Sequence, residues 1–451
     1  MNLDLKSWNA NKKINILFAV VSILFGIAFF LTKVSNDDIA LYTRVGENLA
    51  DYWNYSVSLF YSWSSRILIN FVWFCILRGG QAFFAVYMAV CMFVLLRGLY
   101  EMIRPNADLT DALLISAVAL MFPVYVLNSA GWIATATSYF GPQAFGVWAL
   151  LPIKRVIAGE KISWIEFVFC TIAAVYSGNA EQMCVVLVFV YAVATIAMFV
   201  IKKFNWRLIV LFLFNIGSMV LMLKCPGNWG RSDIELVAHF PTYKTLSIVD
   251  KMDIGVSTTL QWLFAGGRLL IIVICVLLVI GVFNKYKMFS YRFLSLIPLC
   301  FCLIWGPLSG LLSVCFPYLT SLGAGVDYYG SFNIAAQGSG TGALQFGLFL
   351  TLCLVMIICV ILINDSALEL VTDLTLVLAG MGSRVMIALS PSIYVSGDRT
   401  FTTLVVCFMV LAIIIYKKTR TKDILKAERM QYIALVLIAF SFVNLFGLIS
   451  A

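Results

Sequence analysis

The chain has 451 residues, 62% of them hydrophobic and 12% charged, with 31 Lys and Arg against 22 Asp and Glu. A water-soluble globule carries a much smaller apolar share, so a soluble enzyme and a disordered chain are excluded and a multi-pass membrane protein is implied. The formal net charge of +9 then marks loops retained in the cytoplasm, and no nucleic-acid partner is needed to explain it.

Apolar runs near the ~20 residues that a helix needs to cross a bilayer recur from end to end, without the alternation of outer-membrane strands, so the expected fold is all-α. Set against charged breaks, they give about thirteen transmembrane helices. Their centres fall near Leu24, Val90, Val118, Val147, Phe169, Val190, Phe214, Val273, Cys300, Leu354, Leu376, Met409 and Leu437. The first run, Ile14 to Leu31, follows Lys12 and Lys13 as in a signal peptide, but its length and the lack of a small-residue cleavage pattern make it a retained span. Ile67 to Leu77 is too short to cross and reads as an interfacial helix, and Glu369, Asp373 and Arg384 interrupt the eleventh span. Residues 1–451 read as one transmembrane domain with no independent soluble domain, since the largest segment outside the spans runs only from Lys224 to Ile254. Neither a repeat of fixed period nor an inverted pair of broken spans stands out.

With the N-terminus inside, the loops carrying Arg97/Arg104, Lys154/Arg155/Lys161, Lys202/Lys203/Arg207, Lys285/Lys287 and Lys417/Lys418 are all cytoplasmic, which supports that orientation. The other polar segments then share the opposite face. The first is SNDD, where Asp37 and Asp38 are candidate catalytic acids; Asn36 or Asp37 could equally cap the helix that follows. Adjacent side chains diverge, so one aspartate faces a site while its neighbour caps or positions. The segment from Ile39 to Phe60 suits helices lying in the interface. WSSR ends the same loop, and its Arg66 snorkels, pairs with Asp37 or Asp38, or holds a phosphate.

Asn179 and Glu181 of SGNAEQ stand at a membrane boundary, where an unpaired charge is costly, so Glu181 calls for a partner. CPGNWGR reads as a turn, with Gly227 or Asn228 free to take positive φ, that aims Trp229 and Arg231 from a fixed bend. A guanidinium beside an aromatic face suits a sugar phosphate. GVDYYGSF, with Asp327 and Tyr328, opens a glycine-rich loop that lacks the P-loop lysine and reads as a lid. VSGDR places Arg399 at the mouth of the twelfth span. Most of the cysteines lie inside apolar runs; a disulfide between Cys225 and Cys315 is allowed but not required. His239 is the single histidine, which argues against a zinc site or a Ser-His-Asp triad, while Asp37 and Asp38 leave room for a hard cation, Mg²⁺ or Mn²⁺.

A first span followed by SNDD, an amphipathic outer loop ending in WSSR, then NAEQ and PGNWGR, resembles the bacterial polytopic glycosyltransferases of the GT-C class. The likeness is nearest to the serotype-converting O-antigen glucosyltransferases of the Gtr type. The resemblance implies an inner-membrane enzyme whose active site opens on the periplasmic face. It implies inverting transfer of a sugar, often glucose, from undecaprenyl phosphate to a surface polysaccharide or its lipid-linked precursor. It places the catalytic aspartate on Asp37 or Asp38 and maps the PGN-x-x-R element to Gly227, Asn228 and Arg231. Arg66, Arg231 and Arg399 are then expected on the donor phosphate, and Asn179, Glu181, Asn228, Trp229, Asp327 and Tyr328 around the substrates. The large C-terminal soluble domain of some GT-C enzymes is missing, which leaves acceptor recognition to loops. An O-antigen polymerase and a lipid-linked sugar flippase are the competing expectations.

Overall fold

The computed structural model describes residues 5–104, 107–332, 340–420 and 427–450. Helices carry the fold, and no strand occurs among the described residues. Among the described residues eight helices are long and apolar enough to cross a bilayer, and up to ten spans result if each of two sharply bent pairs counts as one, fewer than the thirteen expected. The three expected centres near Val118, Val147 and Phe169 fall on Leu109–Ala119, Gly141–Ala158 and Trp164–Ser177. The first and third of these, at 11 and 14 residues, are too short to cross unaided. The second carries Lys154 and Arg155 toward its end. Charge-punctuated apolar runs mark buried helices as well as full spans.

The chain forms two compact units. Unit 1 holds residues 1–233 and 401–406 and the last residues from 421; unit 2 holds residues 234–400 and 407–420. Unit 1 begins with α1 (Leu5–Phe30), α2 (Asp37–Tyr42), α3 (Leu49–Ser62) and α4 (Ile67–Ile103). Phe29 of α1 meets the ring of Phe84 on α4 edge to face at 5.7 Å. Gly80, at φ 78°, breaks α4. Its first limb packs on α3 through Trp53 with Phe71 and Tyr55 with Phe74. The segment from Ile67 to Leu77 is thus the first limb of α4, set off from the longer limb by the break at Gly80.

Further along, α5 (Leu109–Ala119), α6 (Trp132–Thr135), α7 (Gly141–Ala158), α8 (Trp164–Ser177), α9 (Glu181–Val200) and α10 (Trp206–Leu223) complete the body of unit 1. One end of this unit is a charged clasp. Glu101, its side chain 4% exposed, pairs with Arg97 at 2.7 Å, Arg155 at 2.9 Å and Arg104 at 3.2 Å. Arg155 also holds Glu166 at 3.0 Å and reaches Glu160. Lys154 donates to the Arg104 carbonyl, and Lys203 to that of Ile157. The opposite end of α9, whose 20 residues rise roughly 30 Å, begins at Glu181 and meets Arg66.

In α11 (Pro226–His239) the chain passes from unit 1 to unit 2. Within unit 2, α12 (Ile248–Phe264) and α13 (Leu269–Lys285) meet at a 74° bend, and α14 (Phe289–Ile304) and α15 (Ser309–Cys315) at 90°. The two breaks touch: Gly266 N donates to Trp305 O at 3.3 Å, and a Cβ on Gly267 would lie 2.9 Å from Gly306 Cα. After the short α16 (Pro317–Ser321) come α17 (Gly340–Ile363), α18 (Ala367–Val385) and α19 (Thr402–Thr419); α20 (Ala427–Ser450) belongs to unit 1. In unit 2, Lys418 closes on the buried Asp373 at 2.7 Å, so one carboxylate that interrupts the eleventh span is paired. Cys225 and Cys315 are both free thiols.

Glu101→Ala would take from Arg97 and Arg104 the carboxylate they share and from Arg155 one of its three, at a cost of about 3–5 kcal/mol. Thermal unfolding of the purified variant in detergent should show a markedly lower midpoint, whereas an unchanged midpoint would reduce the clasp to a surface ornament.

Candidate active site

At the end of unit 1 away from the clasp, two helix starts are capped by side chains from distant parts of the chain. Helix amino ends leave N–H groups without intrahelical partners. Asn36 precedes α2 at φ 48° yet makes no side-chain cap there, contrary to the expectation from sequence. Asp38 instead reaches across to α6, where its Oδ2 accepts from Ile133 N at 2.9 Å and its Oδ1 from Ala134 N at 2.9 Å. Trp73 Nε1, on the first limb of α4, donates to the same Oδ1 at 3.0 Å. Gly131 makes room: it sits at φ 108°, and a Cβ there would lie 2.6 Å from Asp38 Oδ2.

Asn179 plays the matching part for α4. Its Oδ1 accepts from Leu68 N at 2.9 Å and Ile69 N at 3.2 Å, and its Nδ2 donates to Ser65 O at 3.3 Å. Both oxygens of Asp38 and the amide of Asn179 are thereby engaged in holding helices, so neither side chain is presented to a substrate. Asp37, by contrast, is exposed beside this frame, its backbone N–H donating to Ala130 O at 3.2 Å. Among the described residues no group of three or more His, Cys, Asp or Glu side chains is placed to hold a metal ion.

The frame positions a charged cluster. Arg66, directly before α4, pairs through Nε with Glu181 Oε2 at 2.6 Å, and not with Asp37 or Asp38. Glu181 opens α9, where the positive end of the helix favours a carboxylate. Arg231 of α11 acts on the same carboxylate. Tyr139, carried on the π-helical turn Ala136–Phe140, lies under Arg66 with its ring centroid 5.4 Å from the guanidinium carbon. Burial opposes the charge on Arg66, but Glu181 and Tyr139 outweigh it and hold the guanidinium above its usual range. Side-chain exposures of 18% for Arg66 and 20% for Glu181 leave the pair reachable from solvent.

Pro226 to Trp229 form the first turn of α11, not the expected free turn, and neither Gly227 nor Asn228 takes positive φ. Proline's fixed φ suits a first helical turn as well as a β-turn, which is why the motif misleads. Gly227 is needed for close approach, since a Cβ would lie 2.3 Å from Trp63 N. Cys225 Sγ, next to it, donates to Phe60 O at 3.0 Å. Asn228 turns back to donate to Met222 O at 3.0 Å, while Trp229 is 70% exposed. Arg66 and Glu181 therefore meet, with Arg231 near enough for its charge to act on Glu181. Arg399, Asp327 and Tyr328 belong to unit 2, where Asp327 accepts from Tyr329 N at 2.9 Å and Tyr328 stacks on Tyr394 with centroids 4.3 Å apart. Tyr139 was missed because it lies in an apolar run; the polar stretch TATSY inside that run was the available signal.

Compared with family models, curated proteins and solved structures, the chain matches none.

Burial pushes the Asp38 carboxyl up to about 6 against the hydrogen bonds from Ile133, Trp73 and Ala134, with Asp37 adding to the rise. A raised acid takes up its proton in the folded chain first. Its contribution to stability is present in full below its ordinary pKa of 3.8 and is lost as the pH climbs through about 6. Lowering the pH from about 7.5 to about 4.5 should therefore stabilise the wild type relative to Asp38→Asn by roughly 2 kcal/mol. Thermal midpoints of both proteins at the two pH values test this; a constant offset between them would contradict it.

Proposed function

We propose that this protein transfers a sugar, glucose by the likeness of its motifs to the GT-C class, from a polyprenyl-phosphate donor to a cell-surface polysaccharide or its lipid-linked precursor. The observation that carries the reading is the cluster in which Arg66 and Arg231 share one carboxylate, Glu181, at the polar end of an apolar helix bundle. Two guanidiniums against one carboxylate leave positive charge for a phosphate, and forked N–H donors match its oxygens. A donor whose tail lies among apolar helices brings its phosphate to this depth without leaving the membrane. The uneven distribution of Lys and Arg supports an inner-membrane protein with its N-terminus in the cytoplasm and this end of unit 1 facing the periplasm.

In the proposed reaction Asp37 takes the proton from an acceptor hydroxyl. The new bond forms between that oxygen and the anomeric carbon as the bond from the anomeric carbon to the phosphate oxygen breaks, with inversion. The electron pair leaves on polyprenyl phosphate, whose charge Arg66 and Arg231 stabilise. Glu181 Oε1 is buried and accepts no hydrogen bond among the described residues, so it suits a sugar hydroxyl as donor. Trp229, exposed on the same first turn of α11 that leads to Arg231, offers a face to the sugar ring.

The touching breaks in α12/α13 and α14/α15 favour a second reading, a lipid-linked sugar flippase, because transporters build their sites at interrupted helices. Reconstitution separates the two. With polyprenyl-phosphate glucose and glycan acceptors, the transferase forms a new glycosidic linkage; a flippase moves the donor between leaflets and forms none. Asp37→Asn should lower turnover about 100-fold or more, the range of a lost general base, without altering the thermal midpoint. Arg231→Gln should raise the donor KM about tenfold, the share of one charge-assisted contact. Near-normal turnover in Asp37→Asn would remove the assigned base, and an unchanged donor KM in Arg231→Gln would return that arginine to a structural role.

A further inference from the structure

Unit 2 has an arginine cluster of its own. Arg268 stands at the break between α12 and α13, its guanidinium over the Trp262 ring at 4.7 Å, and its Nη2 reaches Asp398 Oδ2 at 3.3 Å. Arg384, near the end of α18, is 4% exposed and close enough to Asp398 and Tyr394 for their charges to act on it. One guanidinium is thus in contact with the Asp398 carboxylate and a second lies within its field. This carboxylate differs from Glu181 in its mounting. It sits in the 3-10 turn Gly397–Phe401 behind Gly397, which takes φ 55°, and its side chain is 41% exposed. Swinging it into water therefore costs little desolvation, while the arginines stay fixed by their helix and their aromatic neighbours.

The amino end of α13 begins at the residue after Arg268, so its first-turn amides add positive potential beside the pair. Tyr394 continues the wall away from the arginines. It stacks on Tyr328 and meets Phe240 at 5.5 Å, with Asp253 and Asp327 close enough to Tyr394 to act on it electrostatically. Phe240 is buried in the core of this unit and Tyr328 covers one face of Tyr394, so the aromatic group braces the cluster, and the arginines supply the charge suited to a phosphate.

The structure assigns, we infer, a second phosphate-binding site to unit 2, formed by Arg268 and Arg384, in which the Asp398 carboxylate stands in for the ligand and yields its place when a phosphate arrives. The ligand class is a phosphate or diphosphate ester, either on a lipid anchor or free. The site uses none of the residues proposed for sugar transfer in unit 1; because that reading gives unit 1 a phosphate site as well, every titration is repeated in an Arg66→Gln/Arg231→Gln background, in which the unit 2 variants are read alone.

The stand-in makes the test directional. Full-length protein in nanodiscs of zwitterionic lipid is titrated with labelled pyrophosphate and, separately, with a labelled polyprenyl phosphate. Arg268→Gln, at a part-exposed position, should weaken binding about tenfold, the loss of one charge-assisted contact. Asp398→Asn should tighten it, because the internal competitor has lost its charge. Arg384→Gln should act as Arg268→Gln does, and the more exposed Arg268 variant keeps the test valid if the buried one does not fold. Lipid binding that responds to these variants identifies a headgroup site; a response of pyrophosphate alone identifies a site for a free anion. Binding that is indifferent to Arg268→Gln, or that weakens in Asp398→Asn as it does in Arg268→Gln, overturns the inference, as does failure of both probes to bind.

Discussion

Glu181 begins a 20-residue apolar helix at the edge of a layer where a bare carboxylate is expensive, and the polar end of unit 1 is arranged around answering it. Arg66 comes from 115 positions away to meet it at 2.6 Å, and Arg231 comes from a third helix. Each partner is set by the start of a helix, so the ion pair fixes how α4, α9 and α11 enter the site together. The second guanidinium has no second carboxylate to match it within this trio. That imbalance is what makes the cluster chemically available instead of merely structural.

The trio holds its geometry because the helix ends beside it are capped from outside their own segments. Asp38 secures α6, which leads through the π turn to Tyr139 under Arg66; Asn179 secures α4 directly after Arg66. A carboxylate spent on two amides and an indole cannot also be a general base. The division of labour between neighbours therefore falls out of geometry: Asp38 positions, and Asp37 remains the candidate for proton transfer.

The membrane class and the placing of polar segments at one end of unit 1 were legible because hydropathy and charge act locally along the chain. The need of Glu181 for a partner was legible for the same reason. The identity of that partner was not, since Arg66 pairs across 115 residues, and a capping residue is recognised in sequence only when it precedes its own helix. Asn179 and Asp38 violate that local rule, and so read as substrate or catalytic residues. Pro226 shows the converse, a strong local signal with two structural outcomes. The expected span count is the larger because α5 and α8 are mostly apolar yet only 11 and 14 residues long, and α7 carries Lys154 and Arg155 toward its end. In unit 2, glycine pairs at 266–267 and the Gly306-Pro307 step were visible as letters, but that two breaks would abut depends on tertiary packing.

The central claim is that Arg66 and Arg231 receive the phosphate of a lipid-linked sugar. An experimental structure of the full chain with a polyprenyl-phosphate sugar bound tests it most directly. The account predicts phosphate density within hydrogen-bonding reach of both guanidiniums, with the anomeric carbon open to Asp37. Phosphate bound elsewhere, with Arg66 still closed on Glu181, would contradict it.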